Sequence, residues 1–244
     1  MKRLLSLLLL ACLLAGCSSP SPQPEQKQYN ASFLDVFDTV TTIVGKADSE
    51  EAFREKTQVL HEDLKQYHQL FDIYNDYEGI NNLKTVNDHA GITPVEVDSR
   101  IIDLLKDCKH YYELTRGMVN PAMGSVLQLW HVARNDGIND PANAYLPKEE
   151  KLQQAAQYMN FDAVEIDEAA STVYITDANV RLDVGAVAKG WSVQRAAVNA
   201  PAGLLISVGG NVCATGPKDA SGTPWVVGIQ NPDGGDNYLH TLYL

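Results

Sequence analysis

Phe53, Leu60, Leu64, Tyr67 and Phe71 recur at helical spacing behind Asp48 and Glu51, which read as a capping-box pair, so a helix is expected over 48–71. Before it, VFDTVTTIV at 36–44 is β-branched and predicts a strand. A second helix is expected over 99–115, with Ile101, Ile102, Leu105, Cys108 and Tyr112 on its apolar face and Gly117 as its stop. A third should begin near Pro147 and carry Leu152, Ala155, Ala156 and Met159. The period then changes to alternation: 163–167, 172–176, 180–184, 204–208 and 225–230 are strand-like, interrupted only by a helix at about 186–199. Grouped helices followed by runs of strands predict an α+β fold rather than regular βαβ winding. YLHTLYL at 238–244 reads as one more strand, and the chain stops inside it. An apolar strand there would leave a bare edge, so a truncated form of a longer domain is expected.

The amino terminus breaks this pattern. Lys2 and Arg3 precede an apolar run over 4–14, too short to span a bilayer stably, and Leu14-Ala15-Gly16-Cys17 follows. This reads as an export signal whose LAGC ending resembles the lipobox of bacterial lipoproteins. Residues 1–16 would be removed and Cys17 lipidated, anchoring the protein on the extracytoplasmic side of a membrane. Residues 17–30, rich in Ser, Pro and Gln, would form a flexible tether, leaving 31–244 as one domain. The formal charge is −12, and loss of Lys2 and Arg3 leaves 17 bases against 31 acids. Nucleic acid is therefore excluded as a partner, since it needs clustered Lys and Arg. Cys108 and Cys213 remain in the exported chain and are read as separate buried thiols, one on a helix and one in a strand.

Candidate chemistry concentrates in LDVGAVAKGW at 182–191. Asp183 would end a strand, Gly185 would break it, and Lys189 would sit in the first turn of the next helix. A helix N-terminus with an added lysine favours phosphate. The spacing nevertheless matches neither G-x-x-x-x-G-K-[ST] nor G-x-G-x-x-G, and alone the segment reads as a strand-to-helix turn. Gly209-Gly210-Asn211 follows the strand at 204–208, where paired glycines suit either close backbone approach to an anion or a tight hairpin into 212–214. His61-Glu62 begins like H-E-x-x-H, but Lys65 replaces the second histidine. The six histidines, at 61, 68, 89, 110, 131 and 240, show no ligand spacing and read as surface residues, and no G-x-S-x-G elbow occurs.

LDVGAVAKGW, SVGGN at 207–211 and PWVVGIQNP at 224–232, in that order and spacing, resemble the ApbE family of FAD:protein FMN transferases. FDTV at 37–40, FDIY at 71–74 and ELTRGMVNPAMGSVLQLW at 113–130 extend the resemblance over about 33–244. Phe37 and Asp38 stand where the family usually has Met and Gly, Asn120 where many members have Asp, and His131 where glycine is common. The family's late TSG, HI-x-D-P and acid-rich metal segments have no counterpart here. The resemblance implies a T-fold-related single domain with grouped helices packed on a mainly antiparallel sheet. It implies Mg²⁺-dependent transfer of FMN from FAD to a Thr or Ser hydroxyl of an extracytoplasmic flavoprotein, with release of AMP. Carried over by position, Asp183 and Lys189 would contact FAD, Tyr74 would lie against one of its rings, and Met118, Val119, Asn120 and Phe37 would line its site together with Gly209 and Gly210. The Ala186 carbonyl would reach Mg²⁺, whose other ligands would lie beyond residue 244. Hydrolysis of FAD to FMN and AMP, or flavin binding without chemistry, remain the alternative readings.

Overall fold

The computed structural model describes residues 26–235 and 237–244, so the export signal, Cys17 and most of the expected tether lie outside the described residues. The strand expected over 36–44 is in fact the turn and return of a hairpin. β1 (Lys27–Val36) pairs antiparallel with β2 (Thr39–Ala47) across Phe37 and Asp38. Lys27 already faces Ala47, so pairing begins inside the stretch assigned to the tether. β2 alternates, burying Thr41, Ile43 and Ala47 on one face. It pairs with β6 (Leu204–Val208), and β6 with β7 (Asn211–Ala214), giving an antiparallel sheet in the order β1-β2-β6-β7. α1 (Glu50–Phe71) and α6 (Gly185–Asn199) cover its inner face: Phe53, Leu60 and Leu64 meet Val193, Ala196 and Ala197 around Ile43 and Ile206. The α1 cap is Ser49, whose hydroxyl accepts from the Ala52 N–H at 3.1 Å, not the expected Asp48 with Glu51.

A second core forms around α3 (Ser99–Leu114), which buries Ile101, Ile102, Leu104, Leu105 and Cys108. It packs with α2 (Leu83–Asp88) and a small antiparallel sheet of β3 (Val95–Glu96), β5 (Thr172–Ile175) and β4 (Val164–Asp167). Gly117 ends α3 as expected: at φ 82° its N–H reaches the Tyr112 carbonyl at 2.7 Å. α5 (Glu149–Ala155) starts after Lys148, so Pro147 precedes the helix instead of opening it, and Met159 lies past its end. α4 (Gly124–Asn139) was not expected, because it buries only Gly124 and Ala133 and therefore carries no apolar period. β8 (Val226–Gln230) and β9 (Tyr238–Tyr243), each expected as a strand, pair with one another in a separate two-stranded ladder. Cys108 and Cys213 are both free, the first buried and the second half-buried. Burial pushes the Cys108 thiol up to about 12, so it is an unreactive packing residue.

The strand expected over 180–184 is not one, and the reason is visible. Val180, Leu182 and Val184 alternate inward and are buried, but this extended segment finds no neighbouring strand. The buried Asn87 side chain stands in for one: it accepts from the Leu182 N–H at 2.7 Å and donates to the Leu182 carbonyl at 2.9 Å. On the other side the Asp183 N–H donates to the Pro121 carbonyl at 2.8 Å and the Gly124 N–H to the Arg181 carbonyl at 3.0 Å. A Cβ on Gly124 would lie 2.6 Å from that carbonyl oxygen, so only glycine allows the approach. Asn87→Ala, which strands both Leu182 groups, should cost about 2–4 kcal/mol of unfolding free energy in denaturant titration, against less than about 0.5 for the exposed Val59→Ala.

Candidate functional site

The two cores meet at the C-terminal end of α1, whose Leu70 and Phe71 belong to the second core while Leu60 and Leu64 belong to the first. There α1 stops, because Asp72 turns the chain to extended geometry. A cleft of about 340 Å³ opens at this junction. Its floor is apolar, from Phe37, Phe71, Ile73, Val184 and Ala188, and its polar groups come from Asp38, His68, Asp72, Asp183 and Lys189, with Tyr74 beside them. Such a mixture suits a flat, partly apolar ligand with a charged portion.

Each wall is held by a different device. At the start of α6 the cap position is Val184, and the Asp183 carboxylate just before it accepts from the Gly185 N–H at 2.8 Å, pairing one of the free donors of the first turn. Lys189 lies one turn further on, beyond the first turn where it was expected, and its Nζ sits 3.5 Å from the Gly185 carbonyl. At the end of α1, Asp72 is 8% exposed and accepts from the Tyr74 N–H at 2.7 Å, the Asn75 N–H at 3.2 Å, Asn75 Nδ2 at 2.9 Å and Tyr77 Oη at 2.7 Å. Tyr74 is half exposed and stacks on His131 of α4, with ring centroids 4.5 Å apart and planes 19° from parallel. Burial first, and then the charge of Asp183, push its phenol up, which places that carboxylate in electrostatic reach of the ring.

The third wall is the β1–β2 turn, where Phe37 and Asp38 both adopt left-handed backbone, φ 55° and 49°. Phe37 is an aromatic residue in a conformation such side chains rarely adopt, so the turn is strained there, whereas Asp38 is of a type that tolerates it; strain of this kind gathers at functional sites. Gly209 supports it from behind: its N–H reaches the Val40 carbonyl at 3.0 Å, and a Cβ there would lie 2.7 Å from Thr39 Oγ1. Asn211 Oδ1 similarly fills the space where a Cβ on Gly190 would come, at 3.2 Å. The Gly209-Gly210-Asn211 turn thus backs two walls and lines none.

Of the residues singled out from the sequence, the fold brings Phe37, Tyr74, Asp183 and Lys189 into one cleft. Gly209 and Gly210 lie behind it. Met118 is 84% exposed and, with Val119, outside the lining. Asn120 instead braces the 3₁₀ turn Pro121–Met123, accepting from the Ala122 N–H and donating to the Met159 carbonyl, and so supports the Pro121 carbonyl that holds Asp183. His61, His68, His89 and His131 are half-buried rather than surface groups; His110 and His240 are exposed. Sequence reading missed Asp38, His68 and Asp72. FDIY contained the signal for Asp72, an acid directly after a helix, whereas nothing in the local sequence marks His68.

The cleft has three carboxylates to one lysine, a balance that opposes an anionic ligand unless a cation joins it. The described residues do not furnish a magnesium site by themselves. Among them no three His, Cys, Asp or Glu side chains converge as metal ligands, and the Ala186 carbonyl is one oxygen where Mg²⁺ wants an octahedral set.

A fold of two helix-covered antiparallel sheets with this cleft at their seam defines a class. The family model described as "ApbE family" matches residues 37–244, and the chain belongs to that family. It is 27% identical over 241 residues to an FAD:protein FMN transferase of Treponema pallidum (strain Nichols), covering 92% of this chain and 64% of that protein. A second, of Vibrio cholerae serotype O1, is 23% identical over 231 residues, with 90% and 62% covered. This chain therefore spans less than two thirds of the length of these curated relatives. Among solved structures, the ApbE protein of Thermotoga maritima superposes with a TM-score of 0.74 at 27% identity, covering 89% of this chain and 68% of that one. The H257G mutant of the Vibrio cholerae flavin transferase ApbE, at 18% identity and TM-score 0.68 over 84% and 68%, agrees in fold.

The contrast between the two glycines of the supporting turn checks this assembly. Gly209→Ala combines left-handed strain with a clash on Thr39 and should cost about 2–4 kcal/mol, while Gly210→Ala, at φ 86° with nothing within 4 Å of its Cβ, should cost about 1–2, both read from thermal unfolding.

Proposed function

We propose that this protein transfers FMN from FAD to a Thr or Ser hydroxyl of a target flavoprotein. The observation that carries the reading is the meeting of Phe37, Tyr74, Asp183 and Lys189, from three separate family-like stretches, in one cleft of a chain that belongs to the ApbE family. In the reaction the acceptor oxygen attacks the FMN phosphorus, the P–O bond to the AMP phosphate breaks, and the hydroxyl proton passes to solvent or a base as AMP departs. Tyr74 and the apolar floor would hold a ring of FAD, Lys189 would neutralise charge on the pyrophosphate, and Asp183 would keep the start of α6 in place beside it. Met118, Val119 and Asn120 would extend the site along the edge that carries Pro121. Magnesium dependence follows from the family resemblance and from the acid excess of the cleft, with the Ala186 carbonyl as one ligand. The residues described here do not complete that site.

Incubation with FAD, Mg²⁺ and a Thr-bearing target domain should add an FMN-sized mass to the target. Lys189→Ala should slow the transfer about 10- to 100-fold. Free FMN without a target would instead identify a pyrophosphatase, and FAD recovered intact would identify a binding protein; either overturns the proposal.

We also infer a lipid anchor at Cys17 and an extracytoplasmic location, facing flavoprotein acceptors there. The support is the charged start, short apolar run and LAGC ending, all outside the described residues. Among the described residues no helix is long and apolar enough to cross a membrane. Cys17→Ser should abolish incorporation of labelled fatty acid and release the protein from the membrane fraction; labelling that survives the change would refute the anchor.

A further inference from the structure

Two walls of the cleft, the Phe37–Asp38 turn and the Asp72–Tyr74 segment, lie more than thirty residues apart in sequence. A continuous string of hydrogen bonds joins them. The Phe37 N–H donates to His68 Nδ1 at 3.2 Å, His68 Nε2 lies 3.3 Å from Tyr77 Oη, and Tyr77 donates to Asp72 Oδ2 at 2.7 Å. Asp72 Oδ1 then accepts from the Tyr74 N–H. Directions along the string follow from its ends. A backbone N–H only donates, so Nδ1 carries no proton; the neutral ring then has its hydrogen on Nε2, aimed at Tyr77 Oη. Tyr77 in turn gives its own proton to a carboxylate, which only accepts.

The electrostatics agree. Burial first, and then the hydrogen bond to Asp72, push the Tyr77 phenol far up, so it stays protonated as donor. Burial raises Asp72, but the hydrogen bonds from Asn75, the Tyr74 N–H and Tyr77 outweigh it and hold the carboxyl below its usual range, so it stays an acceptor. His68 is also packed edge-on against both ring neighbours, Phe37 at 5.6 Å and Tyr77 at 6.2 Å between centroids. His68 spends both nitrogens, and Tyr77 its hydroxyl, within the string, while Asp72 is also anchored from outside it by the Asn75 N–H and Asn75 Nδ2.

We propose that His68, Tyr77 and Asp72 form a positioning relay that holds the strained Phe37–Asp38 turn and the Tyr74 segment at a set separation, and so defines the gap into which a flat ring fits. The three are positioning residues, acting through Phe37 and Tyr74. Their consequence for FAD rests on the reading of the cleft as the FAD site; the coupling of the two walls does not. A relay of this kind behaves as a unit, so breaking it at one link or at two has the same effect.

The test uses Tyr77→Phe, which removes one oxygen and keeps the ring, together with His68→Ala and the double variant. Amide exchange at Phe37 and Tyr74, followed by NMR without ligand, should quicken at Phe37 in Tyr77→Phe although the changed atom touches only His68 and Asp72. FAD affinity, read by flavin fluorescence, should fall about tenfold in each single variant, and the double variant should stay within about twofold of the weaker single. Exchange at Phe37 unchanged by Tyr77→Phe overturns the relay, as do affinity losses that multiply in the double variant. Coupled exchange with unaltered FAD affinity overturns its positioning role. Failure of the unaltered protein to bind FAD would refute the FAD reading alone, because exchange at Phe37 still decides the coupling.

Discussion

Everything at the cleft hangs on how the segment 180–184 is held without a sheet. Leu182 is fully buried in the second core, yet its N–H and carbonyl must be paired. A single side chain, Asn87, satisfies both, and the Pro121 and Gly124 backbone groups satisfy the residues on either side. This fixes the residue at which α6 begins. Asp183 and Lys189 then project from a helix start whose position is set by buried hydrogen bonds, not by a flexible loop.

The same economy of partners governs the other walls. Asp72 ends α1 and gathers the Tyr74–Tyr77 segment around one carboxylate; Gly209 lets the β6–β7 hairpin close against Thr39, where any side chain would push the Phe37–Asp38 turn away. The turn itself carries two left-handed non-glycine residues, a cost tolerated because the surrounding contacts over-determine it. The outcome is a cleft with rigid apolar floor and charged rim, in which a strong acid excess makes the single lysine electrostatically prominent.

Much of the framework was legible along the chain. Alternation located β6, and helical spacing located α1, α3 and α6, because each has one face buried and the other wet; β8 and β9 were legible from strand-forming residue types although neither buries a residue. The failures have physical causes. α4 buries too little to show a period, the strand over 180–184 alternates correctly but is partnered by a side chain, and the first strand reads as one because Asp38 is a lone turn former within a β-branched run, with no glycine, asparagine or proline beside it. Site residues divide likewise. Asp183, Lys189 and Tyr74 stood in recognisable stretches, whereas His68 and Asp38 matter only through partners distant in sequence.

By itself, then, the sequence determined the α+β class, the order of most elements, the family to which the chain belongs and the stretches that carry its chemistry, since these follow from local periodicity and from residue types at characteristic spacing. Only the tertiary structure decided which of those residues share a cleft. Met118 and Asn120 leave it while His68 and Asp72 enter, because membership depends on where two cores meet and on buried hydrogen bonds across tens of residues, and no local pattern encodes either.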